Sequence, residues 1–279
     1  MAYETTRGVG QDAAGEKALG QAPATGSCQG NPRELTPHPR GRHGPEMSRS
    51  SDPLWLGAAR RRGFLNLLPD QLVDSLLAGA QRVEFPSGAI SLRWEDSPGP
   101  GVVLRGALRV FVSAPDGEQF TLRYLRAGDL VGWTNLRMPR GVHALQPTEL
   151  LLLDINRQTA LAEREPAVAA ALRDDTRRGL DDLLPMSCIR VFGSIRTRVA
   201  SAIVEQAKAT GSFEAGSEVS GTQEELATAV GSVREVVGNA LHELKREGMI
   251  DLRRGSVVIL MPKCLEVEAS GGLGFSSSN

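Results

Sequence analysis

Two helix-start signals stand close together near the C-terminal end of the chain: Thr222 followed by Glu225, and Ser232 followed by Glu235, with Gly231 between them. A Ser or Thr at a helix N-cap accepts a hydrogen bond from the N–H three residues on, and a Glu there accepts one back, so each pair predicts the opening of a helix. Gly231 supplies the backbone freedom that stops the first helix and turns the chain. A helix over 223–229, a tight turn and a second helix from Ser232 to its stop at Gly248 make the helix-turn-helix layout. In that layout the second helix enters the DNA major groove N-terminus first. On the second helix Val233, Val236, Val237, Ala240, Leu241 and Leu244 predict a buried stripe, leaving Arg234, Glu235, Gly238, Asn239, His242, Lys245 and Arg246 outside. Residues 249–253 and 256–260 read as a two-stranded wing around a basic turn, Arg254 and Gly255.

Upstream the texture changes twice. Residues 64–80 space Leu65, Leu68, Leu72, Leu76 and Leu77 like one face of a helix, and 81–112 become strand-like. The runs 102–104, 107–112, 120–124 and 149–154, with turns at 98–101, Gly106, 115–117 and 128–132, predict successive short antiparallel strands and a β-roll or jelly roll over 53–162. Residues 163–192 are helical in period, with Val168, Leu172, Thr176, Leu180 and Leu183 in one row. That row is either a seam between two copies of the chain or an amphipathic face packed on its own barrel. Pro185 removes a backbone donor, which predicts a kink or break there and a second helix over 195–207. Residues 193–264 hold the helix-turn-helix and its wing. The stretch 1–52 is rich in Gly, Pro, Ser, Thr and charge without apolar period, and is expected to be disordered, with Met47 a plausible alternative start; 265–279 reads as a flexible tail. The fold class expected is α+β.

The 279 residues carry a net charge of −1, so nothing at whole-chain level advertises nucleic acid or an acidic membrane surface. Even between residues 222 and 254 the bases Arg234, Lys245, Arg246, Arg253 and Arg254 are balanced by Glu224, Glu225, Glu235, Glu243, Glu247 and Asp251. A duplex reader built this way needs those carboxylates, Glu224, Glu243, Glu247 and Asp251 above all, turned away from the DNA. Cys28, Cys188 and Cys264 form no CxxC pair, which argues against a disulfide framework and an iron–sulfur site. There is no signal pattern and no apolar run of membrane-spanning length, so a cytoplasmic protein without a membrane partner is expected. No nucleophile elbow, GxGxxG, Walker loop or HExxH is present, so an enzyme is not expected, and no two of the four histidines are close enough in sequence for a metal pair. A sensor or scaffold using a degenerate winged helix for protein contacts is the alternative.

The run from Thr222 to Ile250 resembles the winged helix of the CRP/FNR family, the cyclic-AMP receptor protein and its relatives. Gly106-Ala-Leu-Arg-Val-Phe and Arg126-Ala-Gly-Asp-Leu-Val-Gly are similar to that family's β-roll. The resemblance implies an effector-sensing cyclic-nucleotide-binding-like β-roll, a dimerisation helix and a C-terminal DNA reader, acting as a homodimer on double-stranded DNA with RNA polymerase as a partner. Arg234 and Glu235 fall at two base-reading positions, with Arg suited to guanine acceptors and Glu to a cytosine amine. The third reader is usually an arginine, but here it is Asn239, which pairs better with adenine. Glu235 has a second reading as the partner of Ser232 in a cap. Thr222, Gln223 and Ser232 are candidates for phosphate contacts at helix starts, or plain caps, and Arg253 and Arg254 for phosphate contacts from the wing, or a solvated turn.

Family members that bind cyclic nucleotide share a Gly-Glu-Leu segment and a later Arg-Ser or Arg-Thr pair, the carboxylate taking the ribose and the arginine the phosphate. Here the candidate effector pocket has Gly132, Trp133 and Thr134 in that segment, and Arg140 is followed by Gly141. The implied charge-assisted partners are missing, so ordinary cyclic-AMP binding is not expected, and no cofactor or effector can be named. Trp133 marks either an apolar pocket or core packing. His143 is a haem-ligand candidate or a structural histidine. Asn239→Arg is expected to move one position of the selected DNA motif from adenine toward guanine in binding-site selection; an unchanged motif would count against this reading.

Overall fold

The computed structural model describes residues 57, 59–91, 99–115, 117–132 and 140–272. The expected N-terminal tail 1–52, Trp133, Thr134 and residues 273–279 lie outside the described residues.

The single helix expected over 64–80 is two pieces: a 3-10 turn, Leu65–Leu67, and α1, Asp70–Leu77. Pro69 is the reason, because its ring pushes Leu68 into an extended conformation at φ −113°, ψ 140°. Eight strands follow: β1, Gln81–Phe85; β2, Ile90–Ser91; β3, Gly101–Arg105; β4, Ala107–Ser113; β5, Gln119–Arg126; β6, Leu130–Val131; β7, Arg140–Ala144; and β8, Thr148–Leu152. They form two antiparallel four-stranded sheets, ordered β1-β8-β3-β6 and β2-β7-β4-β5. The expected strands at 102–104, 107–112, 120–124 and 149–154 correspond to β3, β4, β5 and β8, while β6 lies within the stretch expected as a turn at 128–132. Val103, Leu108, Leu125, Val142 and Leu150 fill the space between the sheets.

A helix without a counterpart in the sequence reading comes next, α2, Ile155–Arg164, capped by Asp154, whose carboxylate accepts from the N–H groups of Asn156 (2.8 Å) and Arg157 (3.2 Å). The long helix α3, Pro166–Phe192, opens on a proline in its first turn, where a missing N–H is harmless. Of the kink or break expected at Pro185, the break does not occur: α3 continues through it to Phe192. A mid-helix proline costs about 3 kcal/mol, but both sides of it are anchored. Before it, Arg123 of β5 holds Asp182 at 2.9 Å and Asp175 at 3.8 Å; after it, Ile189 is buried and Arg190 lies over the Phe120 ring. The chain turns instead at Gly193, and Ser194 caps α4, Ile195–Thr210, by accepting from the Thr197 N–H at 3.1 Å.

The apolar row on α3 divides rather than choosing one role. Val168 and Leu172 are buried against the chain's own roll with Phe64, Leu65 and Leu76, so they do not belong to a seam. Further along, Leu180 and Leu184 are 51% and 60% exposed, and Val191 and Phe192 more so.

The last part begins with β9, Glu218–Ser220, and continues with α5, Gln223–Val230; α6, Arg234–Arg246; β10, Ile250–Arg253; β11, Ser256–Ile259; and α7, Pro262–Ser270. The wing is therefore a three-stranded sheet, β10-β11-β9, with Val257 facing Val219. The expected flexible tail starts too early, because residues 265–270 complete α7, where Leu265 and Ala269 are buried against α4. Among the described residues no helix is long and apolar enough to cross a membrane. Leu241 is fully enclosed in the core shared by α4, α5 and α6. Leu241→Ala is expected to lower stability by about 2–5 kcal/mol in denaturant unfolding; a loss well below 1 kcal/mol would show that α6 is not held by this core.

Candidate nucleic-acid interface

The first predicted cap is present in full: Thr222 Oγ1 accepts from the Glu225 N–H at 3.1 Å, and Glu225 Oε2 accepts from the Thr222 N–H at 2.6 Å. Two N–H groups at the start of α5 are thereby satisfied within the motif. Gly231 ends α5 at φ +59°, ψ +60°, and the Arg190 guanidinium occupies the space a Cβ would need there. The turn thus lies against the end of α3, and its left-handed backbone is the conformation that favours glycine.

The second cap is absent. Val233, not Ser232, is the N-cap of α6, and it makes no side-chain capping bond. The turn 231–233 holds Ser232 one residue too early, so Glu235 has no capping partner and stands exposed in the first turn, where the helix dipole still favours its charge. The stripe is corrected too. Val237, Ala240, Leu241 and Leu244 are buried as expected, Gly238 is buried rather than outside, and Val233 and Val236 are exposed. Arg234, Glu235, Asn239, His242, Lys245 and Arg246 remain outside.

Of the six acidic residues that weighed against a duplex, Glu225, Glu247 and Asp251 are occupied by other groups, whereas among the described residues no ion pair engages Glu224, Glu235 or Glu243. Glu247 accepts from Arg196 at 2.6 Å, and Asp251 pairs with Lys245 at 2.8 Å, contacts that hold both carboxyls below their ordinary range. Glu225 is committed to its cap, and Glu218 binds Arg253 at 3.2 Å. Among the described residues no ion pair engages Arg234, Arg246 or Arg254. Thr222, Gln223, Glu224, Arg234, Arg253 and Arg254 line one open cleft of about 510 Å³ between α5, the start of α6 and the wing turn, so Glu224, expected to turn away from a duplex, stands in the cleft beside the arginines. Ser232 lies outside that lining. Arg254 and Gly255 form the two-residue turn, with Arg253 facing Ser256.

The roll meets this unit directly: Thr121 Oγ1 of β5 donates to the Ala229 carbonyl of α5 at 3.3 Å, and Arg109 donates to Thr121 at 3.2 Å and to Gln119 at 2.5 Å. Beside them a cavity of about 80 Å³ is lined by Arg109, His143, Gln206 and Glu225. Burial, then the Arg109 charge, lowers the His143 pKa, with Glu225 opposing. Among the described residues no group of three His, Cys, Asp or Glu is placed to hold a metal ion. In the candidate effector pocket Gly132 follows β6 and Arg140 begins β7, buried opposite Val112; Trp133 and Thr134, the other two members, lie outside the described residues. Sequence reasoning missed Arg190 and Gln206, whose Nε2 donates to the Ser220 carbonyl at 2.6 Å; nothing in the local pattern marks either.

A winged helix with an exposed polar face on its second helix, joined to a β-roll, is the architecture of a DNA-binding regulator of transcription. Residues 197–267 match the Crp-like helix-turn-helix domain. The chain is 30% identical over 213 residues, 75% of its length and 96% of the relative's, to the cyclic AMP receptor protein of Thermus thermophilus. It is 28% identical over 215 residues, 71% of this chain and 92% of the relative, to a CRP-like cAMP-activated global transcriptional regulator of Mycobacterium tuberculosis. A crp/fnr-family regulator from Eubacterium rectale shares the fold at TM-score 0.60 and 22% identity, covering 73% of this chain and 96% of that one. The chain belongs to the CRP/FNR family of transcription regulators.

The lowered His143 pKa has a thermodynamic consequence. Above about pH 6.5 the residue is neutral folded or unfolded; below it the unfolded chain takes up a proton that the folded chain resists, so stability falls as pH drops toward the lowered folded value. Denaturant unfolding at pH 7.5 and pH 5.5 is expected to show a larger acid loss for the wild type than for His143→Gln. Equal losses would contradict this.

Proposed function

We propose that the chain acts as a homodimer reading a pseudo-palindromic duplex, with the first turns of two α6 helices in successive major grooves roughly 34 Å apart. Arg234 recognises guanine, Glu235 a cytosine amine and Asn239 adenine, while Thr222, Gln223, Ser232 and Arg254 contact phosphates. The observation that carries this reading is that Arg234, Glu235 and Asn239 are all exposed on the N-terminal half of α6, with Arg234 lining the cleft that also holds Thr222, Gln223 and Arg254. The loss of the capping role for Glu235 supports its use on a base.

Dimerisation runs through Leu180, Leu184 and Val191 of α3, an exposed apolar row that a second copy would bury. The roll senses a small molecule other than cyclic AMP, since Trp133 stands where cyclic-nucleotide binders of the family carry a ribose-binding carboxylate. Its state shifts the spacing of the two reading helices through α3. The site of action is the cytoplasm, with RNA polymerase as the downstream partner.

Selection of bound duplexes by the purified full chain, with and without cell extract, tests these points together. The expected result is an enriched palindrome with half-sites one helical turn apart, and a Leu180→Asp/Leu184→Asp variant that sediments as a monomer. No enriched motif would overturn the DNA reading, and a wild type that sediments as a monomer would overturn the dimer.

A further inference from the structure

Val233 and Val236 are 64% and 41% exposed, although the apolar spacing of the recognition helix predicts both to be buried. A single exposed valine needs no explanation, but these two are neighbours at i and i+3 on the first turn of α6, on either side of Arg234 and Glu235. Helix physics does not account for them. Val233 occupies an N-cap, a position that favours Ser, Thr, Asp or Asn, and makes no capping bond there. Val236 is a β-branched residue within the first turn, a mild handicap to the helix.

The row continues in the same direction. Asn239 lies three residues beyond Val236, so the sequence Val233, Val236, Asn239 runs up one side of the helix as two apolar groups followed by an amide. The major groove presents a single exposed apolar group, the C5 methyl of thymine, and it presents it on A·T pairs, the pairs whose adenine an asparagine recognises. The valines and the asparagine therefore select for the same base pairs by different atoms.

We propose that Val236, with Val233 beside it, reads thymine through its C5 methyl, at or next to the A·T pair met by Asn239. The inference rests on the proposed DNA reading and sharpens it: the variant half-site is A·T-rich on the Asn239 side, and part of its specificity is apolar.

Deoxyuridine differs from thymine only by the absent C5 methyl, so replacing the half-site thymines one at a time in the selected duplex isolates the contact. At one or two positions the replacement is expected to weaken wild-type binding about fourfold, the value of one buried methyl. The same replacement should leave a Val233→Ala/Val236→Ala variant unchanged. Alanine favours the helix and both sites are exposed, so the variant folds, and its thermal unfolding is the control. If every deoxyuridine duplex binds the wild type as tightly as its thymine parent, or the loss persists in the double variant, the inference fails while the DNA reading stands. If no duplex is bound specifically, both fall.

Discussion

The packing of α6 on α4 decides what the molecule can present. Val237, Ala240, Leu241 and Leu244 enter a core with Val199, Ile203, Leu226 and Ile259, and a helix that commits one stripe to a core has its outward face fixed. Gly238 is buried as well, beneath the Gln223 side chain of α5. The other neighbours set direction: the capped start of α5, the glycine turn held by Arg190 and the strand pair of the wing all close around the same core. Rotating α6 by a quarter turn in one direction would bury Arg234, and an unpaired buried charge is far more costly than an exposed valine.

Charge is organised locally, not globally. The chain is nearly neutral, yet four carboxylates around α6, those of Glu247, Asp251, Glu218 and Glu225, are bound to Arg196, Lys245 and Arg253 or closed into a helix cap. The cleft itself is lined by Arg234 and the wing arginines, Arg253 and Arg254, with Glu224 as its one carboxylate. The same economy holds where the roll meets α3: Arg123 is shared by Asp175 and Asp182, whose carboxyl pKa values are raised by burial and pulled back by that arginine. This arginine joins the roll to α3, as the Thr121–Ala229 bond joins it to α5.

Local chemistry was legible where one residue pair decides an outcome, as with Thr222 and Glu225, or the turns that punctuate β3, β4 and β5. It failed where tertiary contacts outvote a local rule. Pro185 stays inside α3 because both flanks are anchored on β5 and the α5 turn. Val233 and Val236 fit a 3.6-residue stripe, yet the first turn of α6 projects past the core that receives the rest of it, and periodicity carries no information on where that core ends. Strand β9 is three residues long and α7 borders a Gly/Ser-rich tail, so neither has enough sequence to announce itself. Of the candidate site, the exposure of Arg234, Glu235 and Asn239 on α6 was legible from spacing and resemblance together; the neighbours Arg190 and Gln206 were not, because they come from distant parts of the chain.

The central claim is that the N-terminal turn of α6 occupies the major groove in two copies on one duplex. Dimethyl sulfate methylates guanine N7, an atom exposed only in the major groove and the one an arginine at position 234 would cover. The protein is expected to shield one or more guanines in each of two tracts about one helical turn apart, and Arg234→Ala to restore their methylation while the complex still forms. Bound duplex whose major-groove guanines methylate as fast as in free DNA would contradict it.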